Sequence, residues 1–231
     1  MYKRQAQSQP LYLGKFQVKE IEFPHGMADT GENTTEVELV YAGQEVEITE
    51  TSASFYNQRQ KVLVTLNKVL EQDETFGIGM NGEITAVTFG LYAQEDITAA
   101  DGSIIPADGL LEIVSVDENG QAMCKTDLPF GSFYLKELST DSHYLPSGET
   151  FPFTFEYGGP SVAVVEINAN DGEAISNELI RGEIRGMKTD ENGTGLSGAV
   201  IGLFQSDETE FTAENALATA TSAEDGAFSF S

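Results

Sequence analysis

Three polar residues stand where an apolar strand face should continue: an amine, a carboxyl and a carboxamide. In Val62-Leu63-Val64-Thr65-Leu66-Asn67-Lys68, residues Val62, Val64 and Leu66 share one face of a strand, and Lys68 falls on that face. Glu137 continues the face of Phe133 and Leu135, while Lys136 joins Tyr134 on the other side. Asn177 lies in line with Ile175 and Leu179. A single Lys or Glu at a strand end is usually solvated, because these residues are rarely fully buried unless paired. Here, however, the set recurs. Glu20 follows Phe16 and Val18, Asn57 precedes a Lys by the same gap as Asn177 does, and Lys188 follows Ile180 and Ile184 while Arg181, Glu183 and Arg185 take the opposite face. A buried charge is costly unless it is paired or neutralised, so a repeating Lys/Glu/Asn set on apolar faces suggests that the three groups meet.

The elements that must position them read as strands. Period-2 alternation of Val, Ile, Phe and Tyr recurs over Glu36–Val40, Glu45–Ile48, Val62–Leu70, Val87–Tyr92, Leu110–Val116, Phe133–Leu138, Phe151–Tyr157, Val162–Ile167 and Ile180–Met187, separated by Gly, Asn, Asp and Pro. Ala213–Ala220 carries a weak pattern for a short helix. The strands fall into repeats. Gly14-Lys15-Phe16-Gln17-Val18-Lys19-Glu20-Ile21 matches Gly131-Ser132-Phe133-Tyr134-Leu135-Lys136-Glu137-Leu138, 117 positions on. Asn57 and Lys68 are spaced like Asn177 and Lys188, 120 positions on, and Phe89-Gly90-Leu91-Tyr92 matches Ile201-Gly202-Leu203-Phe204. The shifting offset places length changes in loops, including a longer connection over Glu71–Ala86. The expected fold is all-β: tandem Ig-like or prealbumin-like β-sandwiches arranged end to end, one complete and two truncated. The expected units are 1–58 as the C-terminal part of a first domain, 59–178 as a complete domain, and 179–231 as the N-terminal part of a third.

The blocks Val64-Thr65-Leu66-Asn67-Lys68-Val69, Val87-Thr88-Phe89-Gly90-Leu91-Tyr92, Asp127-Leu128-Pro129-Phe130-Gly131-Ser132-Phe133-Tyr134-Leu135-Lys136-Glu137 and Ala174-Ile175-Ser176-Asn177 resemble those of tandem collagen-adhesin B-type domains, also called SpaA-like or prealbumin-like domains, of Gram-positive surface proteins and pili. The resemblance covers the chain apart from Met1–Gln5. It implies an intramolecular isopeptide bond from Lys68 to Asn177, assisted by Glu137. The chemistry fits: burial favours neutral forms, so Lys68 can lose its proton and Glu137 can hold one. A neutral amine is a nucleophile, its target would be the side-chain amide carbon of Asn177, and Glu137 would move protons to the leaving ammonia. The event occurs once per molecule, so it is self-processing and not enzymatic turnover. Glu20 and Asn57 are the equivalents of Glu137 and Asn177 in the first unit, and Lys188 is the equivalent of Lys68 in the third; these three lack partners and are expected to stay unreacted in this chain.

Composition bounds the rest. The chain has 231 residues and a formal net charge of −26, which argues against nucleic acid and against an anionic membrane surface. Fourteen Phe and eight Tyr give a composition that can build a core. With one cysteine, Cys124, no intrachain disulfide is available, and that cysteine reads as a small core residue. Met1–Gln5 reads as non-native, and both ends read as truncated. Leu145-Pro146-Ser147-Gly148 resembles a sorting signal but has Ser in place of Thr and reads as a loop. Asp117-Glu118-Asn119-Gly120 and Asp190-Glu191-Asn192-Gly193 lack calcium-loop spacing and read as tight hairpin turns. His25 and His143 occupy corresponding loops and read as loop residues; no metal and no cofactor is expected. The expected role is a stalk segment of an adhesin or pilus-like protein, extracellular and anchored to a Gram-positive cell wall. The rival is an adhesive module binding host extracellular matrix or surface glycans, for which the aromatic-rich Asp141–Phe155 would serve.

Overall fold

The computed structural model describes residues 9, 11–98 and 101–231; Met1–Gln5 lie outside them. The chain divides into two compact units, one ending at Glu178 and the other spanning Leu179–Ser231.

The first unit opens with β1 (Gly14–Lys19), β2 (Met27–Ala28), β3 (Thr34–Leu39) and β4 (Gln58–Arg59). Antiparallel β1 and β3 make one ribbon, and β2 pairs with β4. There follow β5 (Lys61–Leu70), β6 (Thr88–Ala93), β7 (Ile97–Thr98), β8 (Ile104–Ile105), β9 (Leu110–Ser115), β10 (Gln121–Met123), β11 (Gly131–Ser139), β12 (Thr150–Phe155), β13 (Val164–Asn168) and β14 (Ile175–Asn177). These form two four-stranded sheets and a small β7–β8 ribbon. In one sheet β10 runs antiparallel to β5, while β13 and then β14 run parallel to it along its length. The other has the order β12-β11-β6-β9, all antiparallel. Alternation puts Val64 and Leu66 of β5 on the same core as Phe89 and Leu91 of β6, Phe133 and Leu135 of β11, and Phe151 and Phe153 of β12. Two apolar faces closed on each other make a β-sandwich.

The second unit contains β15 (Ile184–Met187), β16 (Val200–Leu203), β17 (Ala218–Thr221) and β18 (Ala227–Phe230), paired β15–β18 and β16–β17. Its registers repeat those of the sandwich. Ala227 opposes Met187 as Gln121 opposes Asn67, and Val200 opposes Thr221 as Thr88 opposes Ser115. The Lys188 amide donates to Gly226 O at 2.7 Å, as the Lys68 amide donates to Gly120 O at 2.6 Å.

Three local expectations are corrected. Glu45–Ile48 is not a strand: no neighbouring strand pairs with it among the described residues, a turn closes from the Val46 amide onto Gly43 O, and Val46 and Ile48 are 46% and 61% exposed. Ala213–Ala220 is not a helix; its end, Ala218–Thr221, is recruited as β17, where pairing outweighs alanine's helical preference. The Asn119-Gly120 turn does not close a hairpin, because β9 and β10 belong to different sheets. It carries the chain from one sheet to the other, with Asp117 Oδ1 accepting from the Asn119 and Gln121 amides. Both segments, 117–120 and 190–193, are nevertheless tight turns of one form: the Asp117 amide donates to Gln121 O, and the Asp190 amide donates to Thr194 O.

Gly120 is required at that crossing. Its φ is +77°, and a Cβ there would stand 2.2 Å from Lys68 O. Gly120→Ala is therefore expected to lower stability by on the order of 2 kcal/mol, read as a drop in the urea unfolding midpoint.

Candidate functional site: a buried lysine, glutamate and asparagine

β5, the first strand of the sandwich, and β14, its last, lie side by side and parallel, with Lys68 opposite Ile175 and Leu70 opposite Asn177. β11 faces them from the other sheet. Strand parity directs Lys68, Glu137 and Asn177 inward, where they are 2%, 5% and 1% exposed. Lys68 Nζ donates to Asn177 Oδ1 at 2.7 Å and stands 3.5 Å from Glu137 Oε2. Asn177 Nδ2 donates to Glu137 Oε1 at 2.6 Å and to Thr140 Oγ1 at 3.1 Å. Glu137 Oε2 also accepts from the Ser147 amide at 3.2 Å. The structure thus brings together the three residues singled out from the sequence.

The arrangement points an amine at a carboxamide across a carboxyl group. Burial pulls the Lys68 ammonium below its ordinary pKa of 10.5, against the attraction of the Glu137 carboxylate, which holds it up. One Glu137 oxygen faces the amine and the other faces the amide nitrogen, so a single carboxyl group spans the two nitrogens.

The equivalent positions elsewhere are half-assembled. Asn57 Nδ2 donates to Glu20 Oε1 at 2.7 Å, the geometry of Asn177 on Glu137, while Glu20 Oε2 is buried and accepts no hydrogen bond among the described residues. Lys188 is exposed, its Nζ donating to Thr189 O at 3.4 Å. Asn57 and Lys188 each lie outside a described strand, unlike Asn177 and Lys68.

Three contributors escaped sequence reasoning. Thr140 has no counterpart by recurrence, since Phe23 stands at the matching position 117 residues earlier. Ser147 acts through its backbone, which no side-chain pattern reveals. Gln60 is a buried amide where the first segment meets the sandwich: its Nε2 donates to Gly159 O and Val162 O, its Oε1 accepts from the Gly158 amide, and its own amide donates to Gly26 O. Nearby, the Tyr157 hydroxyl donates to Met27 O, and His25 packs on the rings of Phe130 and Tyr157. His143 pairs with Asp141 in its loop. Cys124 is buried, and desolvation, with Glu112 adding, pushes its thiol up to about 12. Among the described residues no group of three His, Cys, Asp or Glu is arranged to hold a metal, and no helix is long and apolar enough to cross a membrane.

No protein-family model matches the chain, and no curated protein matches it. Solved structures do match. The Bacillus anthracis TIE protein is similar at 20% identity and a TM-score of 0.61, over 95% of this chain and 34% of that one. The likeness shows the fold. The chain spans about a third of that protein's length. Weaker similarity is found to BcpA, the major pilin subunit of Bacillus cereus, at 17% identity and a TM-score of 0.30 over 56% of this chain and 31% of that one. A C-terminal fragment of the pilus adhesin SpaC from Lactobacillus rhamnosus GG gives 14% and 0.40, over 74% and 70%.

Two outcomes follow from the electrostatics. In an Asn177→Ala variant Lys68 remains a free titrating amine. Its pKa is depressed only in the fold, so between that lowered value and 10.5 the unfolded chain binds more protons. Stability is therefore expected to climb as pH rises through that window and to be lost as pH falls through it. The urea midpoint of Asn177→Ala should show this slope, and Asn177→Ala with Lys68→Met should lack it. Cys124 is expected to resist thiol reagents in the native protein and to react on unfolding, followed by mass.

Proposed function

We propose that this chain is a stalk segment of a cell-wall-anchored surface adhesin or pilus-like protein, extracellular on a Gram-positive bacterium and stiffened by an intramolecular isopeptide bond between Lys68 and Asn177. The stalk role is supported by the all-β fold and by the recurrence of its registers along the chain. The bond is supported by one observation: an amine, a carboxyl and a carboxamide in mutual hydrogen-bonding range inside an apolar core.

In the proposed reaction the neutral Lys68 amine attacks Cγ of Asn177. A bond forms between Nζ and Cγ, the bond from Cγ to Nδ2 breaks, and Nδ2 departs as ammonia. Glu137 relays a proton from Nζ to Nδ2, using the oxygen that faces each. The fold supplies the encounter, replacing a high reagent concentration. Each molecule reacts once, so this is not an enzyme in the turnover sense.

The product would close a loop whose ends are 109 residues apart. By the chain-entropy argument made for disulfides, that is worth on the order of 5 kcal/mol. Because β5 and β14 are the first and last strands of the sandwich, a covalent tie between them would carry tension directly and leave the core unloaded. It would also supply the staple that a lone buried cysteine cannot.

Intact-mass measurement of the folded chain tests the reading. The wild type is expected to weigh one ammonia less than its sequence, and Glu137→Ala to weigh the full amount. A wild type at full mass would overturn the cross-link.

A further inference from the structure

We infer that Thr140 is a positioning residue of this site, presented by a β-bulge in β11 and holding the departing nitrogen of Asn177; the inference rests on the Lys68–Asn177 reaction proposed above.

Strict alternation along β11 would put residues 135, 137 and 139 on the core face and turn residue 140 outward. The pairing with β6 does not keep strict step. Glu137 opposes Phe89 and Ser139 opposes Thr88, so two residues of β11 are taken up against one of β6. This is a bulge at Leu138. Its consequence is a reversed parity: Leu138 and Ser139 are both exposed, and Thr140 returns to the side of Glu137. The bulge is pinned from outside, because Ser139 Oγ hydrogen-bonds with Thr88 Oγ1 at 2.7 Å and donates to Ala86 O at 3.1 Å.

Thr140 Oγ1 then accepts from Asn177 Nδ2 at 3.1 Å. A carboxamide nitrogen has two hydrogens, and Glu137 Oε1 takes the other. Both being engaged, the amide is held in one of its two flips, with Oδ1 turned toward Lys68 Nζ. The opposite flip would set amide hydrogens against the amine. A hydroxyl is also both donor and acceptor. As Nδ2 loses conjugation with Cγ and gains a lone pair, Thr140 can turn its own hydrogen toward the leaving ammonia without moving. Thr140 is not consumed and carries no net proton in this step. The first segment lacks the device: Phe23 stands at the matching position, and Asn57 Nδ2 is held by Glu20.

The test follows ammonia loss over time by intact mass in freshly translated full-length chains: wild type, Thr140→Val and Thr140→Ser. Valine keeps the shape and removes the hydroxyl; serine keeps the hydroxyl. Loss of one orienting hydrogen bond is expected to slow bond formation about tenfold in Thr140→Val, with Thr140→Ser near the wild-type rate. Placing both changes in the Asn177→Ala background, where no bond forms, separates the role from folding: their urea midpoints should agree. Thr140→Val reacting as fast as wild type, or Thr140→Ser as slow as Thr140→Val, would overturn the inference while leaving the cross-link standing. A wild type that never loses ammonia would overturn the cross-link itself, and the inference with it.

Discussion

A lysine amine sealed inside a β-sandwich is the constraint around which the rest of this structure is arranged. Taking an ammonium out of water costs several kcal/mol unless partners replace the solvent. Here the replacement is partial: Lys68 Nζ meets Asn177 Oδ1 and, at 3.5 Å, the Glu137 carboxyl, and the carboxyl is itself held by Asn177 and the Ser147 amide. Meeting that demand fixes much of the fold. The last strand has to return beside the first, which is why β14 lies parallel to β5. The opposite sheet has to bring β11 over both. The 145–149 loop has to close on Glu137, which it does through Ser147, while the Leu145 amide donates to Glu178 O just past the Asn strand.

The half-sites show that the constraint comes from closure and not from the residue types. Lys188 has the local setting of Lys68, down to the hydrogen bond from its amide to a positive-φ glycine, yet among the described residues no glutamate and asparagine pair meets it and its side chain is exposed. Glu20 and Asn57 have found each other as Glu137 and Asn177 have, and the glutamate oxygen left over, Glu20 Oε2, is a buried acceptor with no donor among the described residues. In the sandwich the matching oxygen faces Lys68 Nζ.

Strand parity made the core and the three reactive side chains legible in the sequence, because a period of two assigns each residue a face without knowing the partner strand. Repetition then separated Lys68, Glu137 and Asn177 from ordinary strand-end charges. What parity cannot carry was misread or missed. The apolar alternation of Glu45–Ile48 builds no strand, since alternation does not supply a partner. Asn119-Gly120 marks a turn in any reading, but whether it joins two strands of one sheet or two sheets depends on packing far from it. Thr140 was hidden by the bulge at Leu138, which shifts parity by one residue and leaves no local mark in the sequence. Gln60 was hidden for another reason: its partners are backbone groups of 158–162, some hundred residues later.

The consequence for function is mechanical. The proposed bond between the first and last strands of the sandwich would transmit load along one covalent path, which is what the proposed stalk role requires. Peptide mapping of the denatured wild-type chain tests this most directly. The account predicts a branched tryptic peptide joining the Lys68 segment to the Asn177 segment, with trypsin failing to cut at Lys68. Recovery of the two segments only as separate, unmodified peptides would contradict it.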